Sequence, residues 1–468
     1  MRTFVWPPAR STANRARPIS PAKVTDASVS SRTASPECRP KNAFARSRTS
    51  SGDRSVIVTY RMWEPPGRAA KSCCPGGAST GLRDDCERTI GHRGQRAIPS
   101  PAMNPPISFG RFFLPGPTEV PPDLFDAMRR PVVGHRSAEV SGLVEAMQPS
   151  ASRLFRTSRP VYLSTSSATG MMEAAITNLT RRRVLCLTNG SFSKRFHAIA
   201  EATGRPADAL EAEWGEPNLP ERLRDALSAA PGRYDLVTVV HSESSTGVLN
   251  PLEDLAAVVH EFDDVLIAVD TVSSLAGAPV KTDEWGLDFV LTGSQKAVAL
   301  PPGLALAVAS ERALARAREV EHRGFYFDIL KFEKNLERWQ TPNTPAVSLF
   351  FALERQLARM MEEGLEARWE RHDAMARRTY EWVDDTAART GRPWRVLAPE
   401  GYRSPCVTVI MLPDGLTGPE VVTRALAHGY TVAAGYGPLK QPSFRIGHMG
   451  EHTLDELEAL LAVLDEVL

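Results

Sequence analysis

From residue 112 onward, short apolar runs alternate with helix-forming stretches, which restricts the chain to an α/β fold with a mainly parallel sheet. Strands are predicted at 161–164, 183–188, 235–240, 265–269, 288–292 and 304–309, with helices at 170–179, 193–203, 219–229 and 252–262. Sheets of this kind bind ligands beyond the carboxyl ends of their strands. Polar clusters fall at those ends: Ser166–Gly170, Asn189–Phe192, His241–Gly247, Asp270–Thr271 and Ser294–Lys296. Their convergence on one pocket is expected.

Two of these ends carry chemistry. Lys296 closes the run Asp288–Lys296 and precedes the small, rigid stretch Ala297–Gly303. A lysine delivered by an apolar strand into a Gly/Ser turn is partly desolvated, which lowers its pKa and suits it to Schiff-base chemistry as nucleophile and base. A solvated surface lysine is the plain alternative. Asp270 ends the apolar run 265–269, where a carboxylate can pair with a pyridinium nitrogen.

A chain of 468 residues with 42 % hydrophobic content is long enough for at least two domains. Its near-neutral charge hides an asymmetry: residues 1–102 hold 15 Arg and 3 Lys against 7 acidic residues, net +11, so the remainder carries −10 of the overall +1. That body does not suggest nucleic-acid binding. No apolar run reaches about 18 residues, so no membrane span is expected. The segment 1–102 is rich in Ser, Arg, Pro, Ala and Gly and lacks apolar periodicity, so it is expected to be a disordered basic extension. A transit peptide or an Arg-rich nucleic-acid contact shares that composition. The favoured reading takes Met103 as the start, with the preceding residues an upstream mis-translation. Cys38, Cys73, Cys74 and Cys86 lie in this segment without zinc-ligand spacing, so no metal is expected. Cys186 and Cys406 sit in apolar runs and read as core residues of a protein in a reducing cytoplasm.

After about residue 345 the pattern changes. Helices at 346–363 and 365–391 precede a strand at 406–411, a helix at 418–427, short strands near 430–434 and 443–447, and a closing helix at 453–468. This predicts a smaller α+β domain.

The motifs Leu114–Thr118, Ala168–Ala175, Glu243–Leu249, Val269–Ser274, Gly293–Lys296 and Phe444–Gly447 occur in that order. With them, the run from Phe113 to Leu468 resembles the class V aminotransferases of fold type I that depend on pyridoxal 5′-phosphate (PLP), within the alanine–glyoxylate, serine–glyoxylate and serine–pyruvate branch. The resemblance implies a large domain over 103–362, with an N-terminal arm and a mainly parallel, seven-stranded-type sheet, and a small domain over 363–468. It implies that Lys296 anchors the cofactor and that Asp270 pairs with its ring nitrogen. Ser167, Ala168 and Thr169 would hold the phosphate at a helix N-terminus, where backbone N–H groups favour an anion. Ala168 stands where the family usually has Gly. Phe192 would stack on the ring, a core Phe being the alternative. Ser244 would contact the ring oxygen, or serve only its turn. Gln295 would reach the phosphate or ring. Thr341 and Thr344 match a segment that crosses to the neighbouring subunit's phosphate, although Gln340–Pro345 also suits a plain connector. That crossing implies a homodimer with active sites at its interface.

Arg445 matches the arginine that pairs with the substrate carboxylate; flanking Phe444, Ile446 and Gly447 suggest that it points inward. The implied activity moves an amino group from a small amino acid, alanine or serine, to a keto acid, glyoxylate or pyruvate, with ping-pong kinetics. The rivals are an aminophosphonate transaminase, a lyase such as a cysteine desulfurase using Cys406 or a kynureninase-like enzyme, and a PLP-fold binding or regulatory protein.

Overall fold

The computed structural model describes residues 109–468. The expectations for residues 1–102 and for a start at Met103 lie outside the described residues. The strands, in chain order, are β1 (Tyr162–Ser164), β2 (Val184–Thr188), β3 (Ala207–Glu211), β4 (Leu236–Val240), β5 (Ser242–Glu243), β6 (Val248–Leu249), β7 (Leu266–Asp270), β8 (Phe289–Gly293), β9 (Ala305–Ala309), β10 (Arg395–Val396), β11 (Thr408–Met411), β12 (Ala433–Ala434) and β13 (Ser443–Ile446).

Seven of them form the main sheet in the order β1-β9-β8-β7-β4-β2-β3. Because β9 pairs antiparallel with both β8 and β1, it alone runs against the other six. Strands β2, β4, β7, β8 and β9 are buried along their whole length. This is why they read as continuous apolar runs rather than alternating ones. The fold is the expected α/β architecture. β3 is the main-sheet strand the sequence reading lacks, beside the two-residue strands β5, β6 and β10: Ala-Asp-Ala-Leu-Glu at a half-exposed sheet edge has no apolar run to announce it.

The antiparallel four-stranded sheet, β10-β11-β13-β12, packs with the helices Leu365–Thr390, Gly418–Ala427 and Leu454–Val467. A second hydrophobic core forms here from Trp382, Trp394, Ile410, Phe444 and Leu461, and it takes in Phe113 from the start of the described chain. Phe113 N donates to Thr431 O at 2.8 Å and Gly447 N to Phe113 O at 2.9 Å. The segment after it, Leu114–Thr118, is thereby drawn from the β13 loop to the Lys296 loop, where Thr118 N donates to Gln295 O at 2.9 Å. Fully buried Arg368 makes a further tie, reaching Glu363 at 2.7 Å, Glu451 at 2.9 Å and the carbonyl of Ala297 at 2.9 Å. No helix among the described residues is long and apolar enough to cross a membrane.

Candidate active site

Because six strands share one direction, β1, β2, β4, β7 and β8 deliver their following residues to the same edge of the sheet. A cavity of about 160 Å³ lies there, lined by Ser167, Ala168, Thr169, Phe192, Arg195, Asp270, Val272, Gln295 and Lys296 among others. The predicted convergence is therefore observed for Ser167, Ala168, Thr169, Phe192, Asp270, Gln295 and Lys296.

Lys296 follows β8 in a tight loop, closed by Ser294 Oγ donating to Pro301 O at 2.7 Å and Ala299 N to Lys296 O at 2.7 Å. The lysine is 8 % exposed. Its Nζ donates to Pro115 O. Burial, followed by the charge of Arg445, pulls its pKa down to about 8, so a useful fraction is neutral near physiological pH. The strap leaves no slack: a Cβ on Gly116 would lie 2.6 Å from Nζ, and that residue has φ +117°.

Asp270, at the end of β7, is 4 % exposed and its Oδ1 accepts the N–H of Val272 at 2.8 Å. Burial raises its pKa to about 6 and outweighs that hydrogen bond, with the charge of Glu243 adding to the rise. A buried carboxylate at such cost, without a cationic hydrogen-bond partner among the described residues, suits a cationic nitrogen brought by a ligand. Phe192 gives the cavity an aromatic wall; Lys296 Nζ lies 5.6 Å from its ring centroid. The ring belongs to the first turn of the helix Ser191–Ala202, not to a turn outside it.

The opposite end suits an anion. The helix Ala168–Leu179 begins there, and its N-cap residue Ser167 makes no side-chain cap. Gly170 N donates to Ser167 O at 2.9 Å, which leaves the N–H groups of Ala168 and Thr169 and the hydroxyls of Ser167 and Thr169 to face a ligand. The Gln295 side-chain oxygen is buried without a partner among the described residues. Arg195 adds a positive charge, its Nη1 donating to Thr169 Oγ1 at 3.4 Å.

Glu243 is the residue sequence reasoning passed over. Its buried carboxylate accepts from Phe192 N at 3.0 Å, Ser193 N at 2.8 Å, Ser193 Oγ at 3.0 Å and Ser245 Oγ at 2.6 Å. It caps the start of the Phe192 helix and so fixes the aromatic wall. A lone Glu among serines reads as turn polarity; the mismatch of a charge in a buried strand-end run was its signal. His241, 4 % exposed, donates or accepts through Nδ1 to Ser274 Oγ at 3.0 Å, and burial lowers its pKa to about 4, so it is a neutral packing group.

Arg445 lies on β13, half-buried, its Nε donating to Ala434 O at 3.0 Å and its Nη1 to Ser244 O at 3.1 Å. Burial lowers its pKa to about 10, which leaves it charged. Ser244 is buried, and its observed link is this carbonyl contact rather than a place in the cavity wall. Thr341 and Thr344 do not line the cavity. They border a separate shallow pocket with Tyr326 and Asn343, and Thr341 Oγ1 donates to Asn343 O at 2.7 Å. Cys406 is a buried free thiol whose pKa burial pushes up to about 12, as is Cys186. A desulfurase-type nucleophile is exposed and ionised, and Cys406 is neither.

A buried, partly neutral lysine facing a buried carboxylate across an aromatic-walled, anion-ready cavity defines an enzyme of amine–carbonyl chemistry. The model of the family described as aminotransferase class-V matches residues 116–391, and the chain belongs to that family. An uncharacterized aminotransferase of Methanocaldococcus jannaschii is 38 % identical over 361 residues, spanning 75 % of this chain and 91 % of that protein. A serine–glyoxylate aminotransferase of Methylorubrum extorquens is 32 % identical over 365 residues, 75 % of this chain and 88 % of that one. The crystal structure of an alanine–glyoxylate aminotransferase from Nostoc sp. matches with a TM-score of 0.71 at 29 % identity, covering 78 % of this chain and 97 % of that chain. The protein is a transaminase of PLP fold type I.

Proposed function

We propose that this transaminase binds PLP in the Lys296 cavity and moves the amino group of a small amino acid, alanine or serine, to glyoxylate or pyruvate. The observation that carries the reading is the one cavity that joins Lys296, Asp270 and Phe192 to an anion-ready helix start. The residues present fit the cofactor: among the described residues the buried Gln295 side-chain oxygen has no hydrogen-bond partner, and Asp270 accepts no hydrogen bond from a cationic side chain. Ser167, Ala168, Thr169 and Gln295 would hold its phosphate, Phe192 and Val272 would flank its ring, and Lys296 would hold its aldehyde carbon. The names of the relatives support the acceptor, since several are glyoxylate aminotransferases.

When bound, PLP supplies an aldehyde for the amino group and a ring that takes up the electron pair left at the α-carbon. The protein's part is to place charges and move one proton. Lys296 Nζ, whose neutral fraction burial raises, takes the proton from the substrate α-carbon and returns it during transfer. Asp270, ionised above pH 6, holds a proton on the ring nitrogen. Arg445 grips the substrate carboxylate, which selects α-amino and α-keto acids over simple amines. The strap around Pro115 and Gly116 keeps the lysine in one place and helps to exclude water.

Thr341 and Thr344 stay within this reading as groups offered to a second copy in a homodimer, supported by their position away from their own chain's cavity. Arg136 holds that segment, donating to Thr341 O at 2.7 Å. A reducing, cytoplasmic setting belongs to the reading too, supported by the free buried thiols. The test is initial-rate kinetics with L-serine or L-alanine against glyoxylate and pyruvate. Parallel double-reciprocal lines are expected. Transfer from aminoethylphosphonate alone would overturn the carboxylate role of Arg445 and favour the aminophosphonate rival.

A further inference from the structure

We propose that Arg195 is the fixed positive charge that receives the anionic end of the cofactor, a role that rests on the PLP reading above. The side chain springs from the helix Ser191–Ala202, whose first turn is locked by Glu243. It lines the same cavity as Lys296 and Asp270. Its guanidinium lies 4.9 Å from the Phe192 ring centroid and extends to Thr169 at the start of the helix Ala168–Leu179, so it spans the aromatic wall and the anion end.

Its bonding is unusual. The neighbouring arginines are engaged: Arg183 pairs with Asp208 at 2.8 Å, and Arg205 donates to Thr177 O at 3.0 Å. Arg195 has no carboxylate within ion-pair distance among the described residues, and its one hydrogen bond, to Thr169 Oγ1, is long at 3.4 Å. Most of its five donors are left for a ligand.

Charge matching gives those donors a target. A phosphate monoester brings close to two negative charges at neutral pH, whereas a helix N-terminus offers about half a positive charge. Lys296 must be neutral to act as a base. Arg195 is then the remaining full positive charge on the cavity wall, and its fork matches phosphate oxygens.

The test is equilibrium dialysis of PLP and of pyridoxal, which lacks the phosphate, against the apoprotein of wild type, Arg195→Gln and Arg195→Lys, each checked by thermal melting. Arg195→Gln is expected to weaken PLP binding by about 10- to 100-fold and to leave pyridoxal binding nearly unchanged. Arg195→Lys is expected to show a smaller loss with the same selectivity for PLP. That selectivity is also the readout should the Gln variant fail to fold. Unchanged PLP affinity, or equal losses for both ligands, would overturn the role of Arg195. If the wild type binds neither ligand, the PLP reading itself falls, and the role with it.

Discussion

Asp270→Asn should make the apoprotein more stable while it disables the enzyme. An ordinary aspartate titrates at 3.8, and Asp270 in its pocket at about 6. Each pKa unit corresponds to about 1.4 kcal/mol, so the ionised carboxylate costs the empty protein roughly 3 kcal/mol at neutral pH. The sign follows from proton counting. Between pH 4 and 6 the unfolded chain has released this proton while the native state retains it, so the native state loses stability as pH rises through that window. Below pH 4 the penalty is absent. Asparagine keeps an oxygen for Val272 N and carries no charge, so the variant should gain about 3 kcal/mol over wild type at pH 8 and almost nothing at pH 4. Urea unfolding of both apoproteins across that range measures the difference. A difference that does not grow between pH 4 and 8, or a variant less stable at pH 8, would show that the native state bears no cost for an ionised Asp270. With cofactor bound the order should reverse in function, since asparagine cannot hold the ring nitrogen's proton and turnover should fall steeply.

Other outcomes follow from the same geometry. Arg445→Gln should raise KM for the amino donor by about 10- to 100-fold, the worth of charged hydrogen bonds, with a smaller change in kcat, as steady-state kinetics will read. Gly116→Ala should cost about 1–3 kcal/mol in thermal stability and lower turnover, because φ is +117° and the new Cβ meets Lys296. Cys406→Ser should leave transamination intact and create no desulfurase deficit, since the thiol is buried and protonated; loss of transamination in a folded variant would show a part for Cys406 that its burial hides.

Much of the architecture was legible because buried parallel strands must be apolar throughout and because polar residues at their ends stand out against that background. Lys296, Asp270 and the Ser167–Thr169 loop were readable for this reason. β3 was not, since an edge strand with Asp208 and Glu211 meets solvent and needs no apolar run. Glu243 and Arg195 escaped notice because their roles depend on what faces them across the fold: backbone N–H groups of a distant helix for one, the start of the helix Ala168–Leu179 for the other. Thr341 and Thr344 carried a motif resemblance that a single chain does not bring to its own cavity. The reversal of β9 was also hidden, as an apolar run does not state its direction.

Amino transfer turns on the amine of Lys296. The most direct test is the visible absorbance of PLP-reconstituted protein, wild type beside Lys296→Ala, on addition of L-serine or L-alanine and then glyoxylate or pyruvate. The wild-type band should bleach with the amino acid and return with the keto acid, and the variant should not complete that cycle. A wild type without a cofactor band, or a variant that cycles at the normal rate, would remove Lys296 from the chemistry.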